Sequence, residues 1–371
     1  MIYLDHAATT PVRKEALEAM LPYFSELDAN ASASYSSARR ARSAVEHARM
    51  QVSKAIGANK PEIYFVSGGT EADNWALFGP AAANGRRKRI VTTTIEHHAV
   101  LHTCKKLERE GYEVIYLRPD SNGQIQISDA RASINDNTLL VSVMLANNET
   151  GVIQPVAEIA ELSHKAGALM HTDAVQAVGH IPVDVNKLGV DLLSLSAHKF
   201  YGPKGIGALY AKTGVRMGTL MYGGEQERGM RPGTENVPAI VGMGKAIELA
   251  IQEIEDEMKR LASLRDLLEA QLMEIDGIRI NGKDAKRLPG HIHLTVSGQE
   301  SSMLLARLDM HGIAASAGSA CASGSIKRSH VLESMFPNEK QAADIRLSLG
   351  CSNHAEQMRI TAAALKEILN S

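Results

Sequence analysis

The chain of 371 residues holds only three cysteines, Cys104, Cys321 and Cys351. They are too few and too scattered for a disulfide framework or a zinc knuckle. A reducing, cytoplasmic setting follows as the expectation, and there a free thiol can act as a reagent. Net charge is almost absent too: 40 Lys and Arg face 42 Asp and Glu, leaving −2. That balance gives no electrostatic reason to expect nucleic acid or a membrane surface as the main ligand. The sequence lacks any apolar run of the ~18 residues a transmembrane helix needs. Its first residues, MIYLDHAATT, lack the basic-then-apolar order of a secretory leader. Repeats and low-complexity segments are likewise missing. The length itself allows two domains and a large core.

What is present is alternation. Short β-branched runs at 62–67, 89–94, 113–117, 139–146, 168–174, 192–197 and 207–211 are separated by longer helix-like stretches. Several runs are apolar on both faces, as strands are when helices cover both sides of a sheet. The stretch PVAEIAELSHKAG (155–167) has apolar spacing near the helical period and ends on glycine. The pattern predicts an α/β domain with a largely parallel sheet. A long helix is expected from Pro238 to Ile275, its charge run read as a solvated link between two lobes. Strands at 291–296, 312–317 and 345–349, then an amphipathic helix with Met358, Ala362, Leu365 and Leu369 on one face, predict a smaller α+β lobe from about residue 255.

In open α/β sheets ligands collect beyond the carboxyl ends of strands, so the residues following each strand carry the search for a site. SGGTEADN (67–74) opens a helix with two glycines and a threonine. Backbone N–H groups, a hydroxyl and a helix dipole would converge there on an anion. Asp173 and Gln176 follow the strand ALMHT, and Ser196, His198 and Lys199 stand where LLSLS ends. A lysine placed there can be a partly buried amine with Schiff-base reactivity. Pyridoxal phosphate needs a lysine for its aldehyde, a carboxylate for its ring nitrogen and a helix N-terminus for its phosphate. Lys199, Asp173 and the 67–70 turn offer all three. His98 and His102 share a helical spacing, but no HExxH pattern accompanies them, and no metal site is expected. A histidine of this stretch is better placed as a ring stacked on the cofactor.

SAGSACASGS (316–325) surrounds Cys321 with small residues. The motif series YLDHAATTP (3–11), SGGTEADN, IEHHAVL, NNETGVIQP (147–155), HTDAVQAVG (171–179), SAHKFYGPKGIGALY (196–210), RGMRPGTEN (228–236), SAGSACASGS and IRLSLG (345–350) runs in order through nearly the whole chain. It resembles the pyridoxal-phosphate-dependent cysteine desulfurases of the NifS and IscS group, within the class V aminotransferases.

The resemblance implies the fold-type I aminotransferase-like architecture: a large domain with a mostly parallel seven-stranded sheet (13–254) and a smaller α+β domain (1–12 and 255–371) carrying the cysteine segment. It also implies a homodimer with active sites at the subunit interface. Lys199 would carry the cofactor, Asp173 would pair with the ring nitrogen, and Gln176 would bond the ring hydroxyl. His97 would stack on the ring, move protons and raise the thiolate fraction of Cys321. Asn148 would sit beside the ring oxygen and the substrate carboxylate. Gly69, Thr70, Ser196 and His198 would hold the phosphate, with Thr234 lent by the other subunit. Arg346 would clamp the substrate carboxylate bidentately. Cys321 would take sulfur from L-cysteine as a persulfide and leave L-alanine, and a protein acceptor in iron–sulfur cluster assembly or another thiolation route would follow. The segment around Cys321 resembles the class with a long, mobile cysteine loop. The alternatives are a selenocysteine lyase or another fold-type I enzyme, and a sulfur carrier that keeps the fold without the activity.

Overall fold

The computed structural model describes residues 1–83, 86–318, 328–339 and 342–370. Cys321 lies outside the described residues.

Seven strands make the central sheet: β1 (Ile63–Val66), β2 (Arg89–Thr93), β3 (Glu113–Leu117), β4 (Thr138–Ser142), β5 (Leu169–Asp173), β6 (Leu192–Ser196) and β7 (Gly207–Ala211). Their order is β1-β7-β6-β5-β4-β2-β3. β7 is antiparallel to both neighbours, and the other four pairings are parallel. Every residue of β4, β6 and β7 is buried. Alternation along the strands divides their side chains between two cores. Val91, Val141, Leu193 and Tyr210 enter one, whereas Ile90, Leu140, Leu192 and Leu209 enter the other. The strands expected from the sequence all form, with ends shifted by a few residues.

Helices α1 (Ser36–Ala55), α2 (Gly69–Ala83), α3 (His98–Arg109) and α4 (Val156–Lys165) precede the long α5 (Val237–Leu272). Asn236 caps α5 by accepting the Ala239 N–H at 3.3 Å, and Pro238 occupies its first turn. The charge run of α5 is only one of its faces. Ile240, Met243, Ala246 and Ile247 pack into the large core, and Leu261, Leu264, Leu268 and Leu272 pack into another. The helix is therefore a shared wall of two cores rather than a solvated link.

That further core lies on an antiparallel sheet of β8 (Ile278–Ile280), β9 (His291–Ser297) and β10 (Ala342–Ser348), with β9 central. Helices α6 (Ser301–Met310) and α7 (Ala355–Asn370) cover it. Leu4 joins this core from the other end of the chain, and Ile2–Tyr3 pairs in parallel with Ile313–Ala314. The strand expected over 312–317 is thus only two residues long. Among the described residues no helix is long and apolar enough to cross a membrane.

Candidate active site

The carboxyl ends of β5 and β6 and the turn after β1 open into one cavity of about 420 Å³. Gly69, Thr70, His97, Asn148, Asp173, Gln176, Ser196, His198, Lys199 and Arg346 all line it. Residues scattered over most of the sequence are gathered there because parallel strands end on the same edge of the sheet.

Lys199 ends the short 3-10 turn that follows β6, and its ammonium donates to the carbonyl oxygens of Ala7 and Ala8 at 2.6 and 2.8 Å. The N-terminal stretch is laced over this turn. Thr10 donates N–H and O–H to the His198 carbonyl, each at 2.9 Å, and accepts the Tyr201 N–H at 2.8 Å. Gln176 adds an N–H donation to the Ala7 carbonyl at 3.0 Å. The amine is therefore aimed into the cavity by backbone carbonyls from a distant segment.

Asp173 ends β5 and accepts the Val175 N–H at 2.9 Å. Burial raises its carboxyl above the ordinary range, with the Val175 N–H and Lys199 pulling the other way. Asp73 on α2 and Glu96 are buried nearby. Asp73 is pushed up by burial and then by Asp173. Glu96 is pushed up to about 8, chiefly by burial. Asp73 Oδ1 and Glu96 Oε2 have no hydrogen-bond partner among the described residues. Of these three carboxyls Asp173 and Asp73 line the cavity with Lys199, a setting that suits a cationic ring nitrogen.

The helix start expected to cradle an anion lines the same cavity. Gly69 and Thr70 begin α2, whose first N–H groups lack helical partners. A Cβ on Gly69 would stand 2.8 Å from Val175 Cγ2, so only glycine keeps this wall open. β7 presses equally close, because a Cβ on Gly207 would meet the Leu195 carbonyl at 2.6 Å and Gly68 Cα at 2.8 Å. His198, whose Nδ1 lies 3.2 Å from Thr9 Oγ1, is pushed down to about 4 by burial and then by Lys199.

His97 caps α3, its Nδ1 accepting the Ala99 N–H at 3.1 Å. Burial, then Lys199 and nearby histidines, push its pKa down to about 4. The neutral ring thus carries its proton on Nε2. Arg346, on β10 and 2 % exposed, donates to Asp5 Oδ1 and Ser316 Oγ, both at 2.8 Å, and to the Asn148 carbonyl at 2.9 Å.

Sequence reasoning missed several of these groups. Asp73 shares the buried face of α2 with Ala76, Leu77 and Pro80, and a carboxylate at that spacing was the available signal. Glu149 is fully buried, raised to about 7 by burial, and bonded by the Ser329 hydroxyl. Asp5 and the Ala7 and Ala8 carbonyls gave no local signal. Thr234 is exposed and stands apart from this cavity in its own chain. It follows a segment in which Glu227 (φ 47°) and Arg228 (φ 61°) are left-handed, a backbone state that costs about 1–2 kcal/mol per non-glycine residue.

A lysine, a buried carboxylate and a glycine-opened helix start at the strand ends of this mostly parallel sheet are arranged as in a fold-type I enzyme. The aminotransferase class-V model matches residues 2–360, and the chain belongs to that family. Its relatives include a cysteine desulfurase IscS from Clostridium botulinum, 49% identical over 99% of this chain and 94% of the relative. Another cysteine desulfurase IscS, from Methanosarcina thermophila, is 49% identical over 99% of this chain and 92% of its own. A solved NifS-like protein superposes with a TM-score of 0.93 at 37% identity, covering 100% of this chain and 99% of that one.

Proposed function

We propose that the protein is a pyridoxal-phosphate-dependent cysteine desulfurase, carrying sulfur from L-cysteine to Cys321. The carrying observation is that Lys199, Asp173 and the Gly69–Thr70 helix start open into one cavity. The cofactor fits by the chemistry of these donors: an aimed amine, a floor of buried carboxyls and a cradle that a side chain at residue 69 would fill. Bound through Lys199, pyridoxal phosphate supplies an electron sink for the pair released at the substrate's α-carbon.

The chain's own groups then divide the work. Asp173 would pair with a protonated ring nitrogen and keep that proton in place, and Gln176 would bond the ring hydroxyl. Gly69, Thr70, Ser196 and His198 hold the phosphate, completed by Thr234 of the partner subunit in a homodimer. Arg346 binds the substrate carboxylate beside Asn148. Lys199, when its amine is free, moves the α-proton. His97 would stack on the ring and present its Nε2 N–H. Serving as base for Cys321 would require it to release the Ala99 N–H or shed the Nε2 proton, so stacking and donation are its better supported roles. In the net reaction the Cys321 thiolate attacks the substrate sulfur, the carbon–sulfur bond breaks, and a persulfide and L-alanine result without an outside oxidant. The chain divides into 13–254 and 1–12 with 255–371, a division supported by Leu4 packing among the residues of the smaller core. A cytoplasmic setting and a sulfur-acceptor protein, in iron–sulfur assembly or another thiolation route, complete the reading.

The test incubates wild type and Cys321→Ser with L-cysteine and reductant, then measures sulfide and alanine. Sulfide from wild type alone supports the reading. Equal release from both removes Cys321 from its role, and a lack of persulfide on Cys321 after incubation with L-cysteine favours a selenocysteine lyase or another fold-type I enzyme.

A further inference from the structure

The segment that presents Thr234 is fastened at two points to the strand–turn–helix unit that builds its own chain's phosphate cradle. The first is a buried ion pair. Arg49 donates two N–H groups to the Glu227 carboxylate, each at 2.7 Å, and the same carboxylate accepts the Phe65 N–H at 3.0 Å. Phe65 belongs to β1, which leads straight into the 67–70 turn. The second is Arg231, whose Nε and Nη2 donate to Glu71 Oε1 and Oε2 at 2.8 and 3.1 Å. Glu71 directly follows Thr70 and also accepts the Ser67 N–H at 2.7 Å.

The fork-to-fork geometry fixes direction as well as distance. It holds Arg231 three residues before Thr234, which is exposed and does not line the cavity of its own chain. Glu71 is held below the ordinary carboxylate range, because Arg231 and the Ser67 N–H outweigh its burial. The pair is thus ionised at working pH. Loss of Arg231 would leave Glu71 still bonded to Ser67, so the chain's own cradle would keep its shape while the arm carrying Thr234 came loose.

We propose that Glu71 and Arg231 are a positioning pair acting in trans, setting the threonine that each subunit lends to the cofactor site of its partner. The proposal rests on the reading of Thr234 given above. It makes each cofactor site depend on an ion pair in the opposite chain.

Heterodimers of full-length chains test it. One chain carries Lys199→Ala, so that only the other can form the borohydride-reducible link to pyridoxal phosphate. Arg231→Gln is placed in either chain, and the cofactor is titrated while the lysine-bound chromophore is followed. With Arg231→Gln in the Lys199→Ala chain, the apparent dissociation constant should rise about tenfold, as for loss of one charge-assisted contact. With it in the Lys199-bearing chain, the rise should stay below about twofold, since that site receives an intact arm. Equal rises in both arrangements, a rise only in the second, or none in either overturns the proposal. Thr234→Ala in the lending chain separates the two levels. If it weakens the partner's site and Arg231→Gln does not, only the positioning pair fails. If Thr234→Ala has no effect, the trans placement of Thr234 fails and takes the proposal with it.

Discussion

Arg346, which lines the cavity, meets Asp5, 341 residues away in sequence, at 2.8 Å. Asp5 and Ser316 share one terminal nitrogen of the guanidinium, and on the reading proposed above Asp5 would set which edge faces a substrate carboxylate. Asp5→Asn should keep the fold and raise KM for L-cysteine about tenfold, with a smaller change in kcat, as expected for one charge-assisted contact. Steady-state alanine production over a range of cysteine concentrations measures the split. An unchanged KM would show that Arg346 is oriented by Ser316 and Asn148 alone.

The cradle leaves no room for a side chain at residue 69. Gly69→Val should weaken pyridoxal phosphate binding by at least about tenfold, because its Cβ would press on Val175 Cγ2 at 2.8 Å and block the first turn of α2. Equilibrium titration of apoprotein, followed by the cofactor's absorbance, gives the answer. Melting of the apoprotein alongside shows whether the loss is local.

Asp173 is a carboxyl raised by burial with only the Val175 N–H and Lys199 to favour its ionised form. A protonated ring nitrogen above it would restore the charge. Asp173→Asn should therefore retain cofactor yet lower kcat by roughly 10²–10³-fold, the scale for losing one preorganised electrostatic partner. The chromophore's spectrum and single-turnover alanine formation distinguish this from simple loss of cofactor.

Glu96 gives a pH prediction with a definite sign. Burial raises its folded pKa to about 8, well above the ordinary carboxylate value of ~4.3. Between those values the folded chain holds a proton that the unfolded chain has lost, so this group makes stability fall as pH rises through that window. Glu96→Gln removes the dependence. Relative to wild type it should be more stable at pH 8 than at pH 5, by about 2–4 kcal/mol in the difference. Urea melts of both proteins at the two pH values measure it, and parallel shifts would contradict it.

Much of the site was legible because strand ends are legible. The residues after ALMHT and LLSLS could be singled out since the strands themselves are apolar on both faces, and Asp173 and Lys199 fall where such strands stop. The 67–70 turn was equally plain, being glycine-rich and followed by a helical pattern. Less visible were groups whose meaning depends on a neighbour far along the chain. Asp73 sits in α2 as one polar residue among apolar ones, and Glu149 sits in NNETG beside asparagines that look like loop chemistry. The run at 312–317 has strand composition, yet only Ile313–Ala314 forms a strand, paired with the equally short Ile2–Tyr3, while Ser316 makes a single bridge to Arg346. The charges on α5 hid a buried face that serves two cores.

By itself the sequence determined the α/β class and the family resemblance, and it singled out Lys199, Asp173 and Cys321 as candidates. These depend on local periodicity and on motifs contiguous in the chain, which a linear reading preserves. Only the tertiary structure decided that the Ala7 and Ala8 carbonyls aim Lys199, that Asp5 turns Arg346, and that Glu71 and Glu227 fasten the segment before Thr234. Those relationships arise from hydrogen bonds and ion pairs between segments up to 341 residues apart. Their energies depend on burial and on angle, and both exist only once the chain has folded.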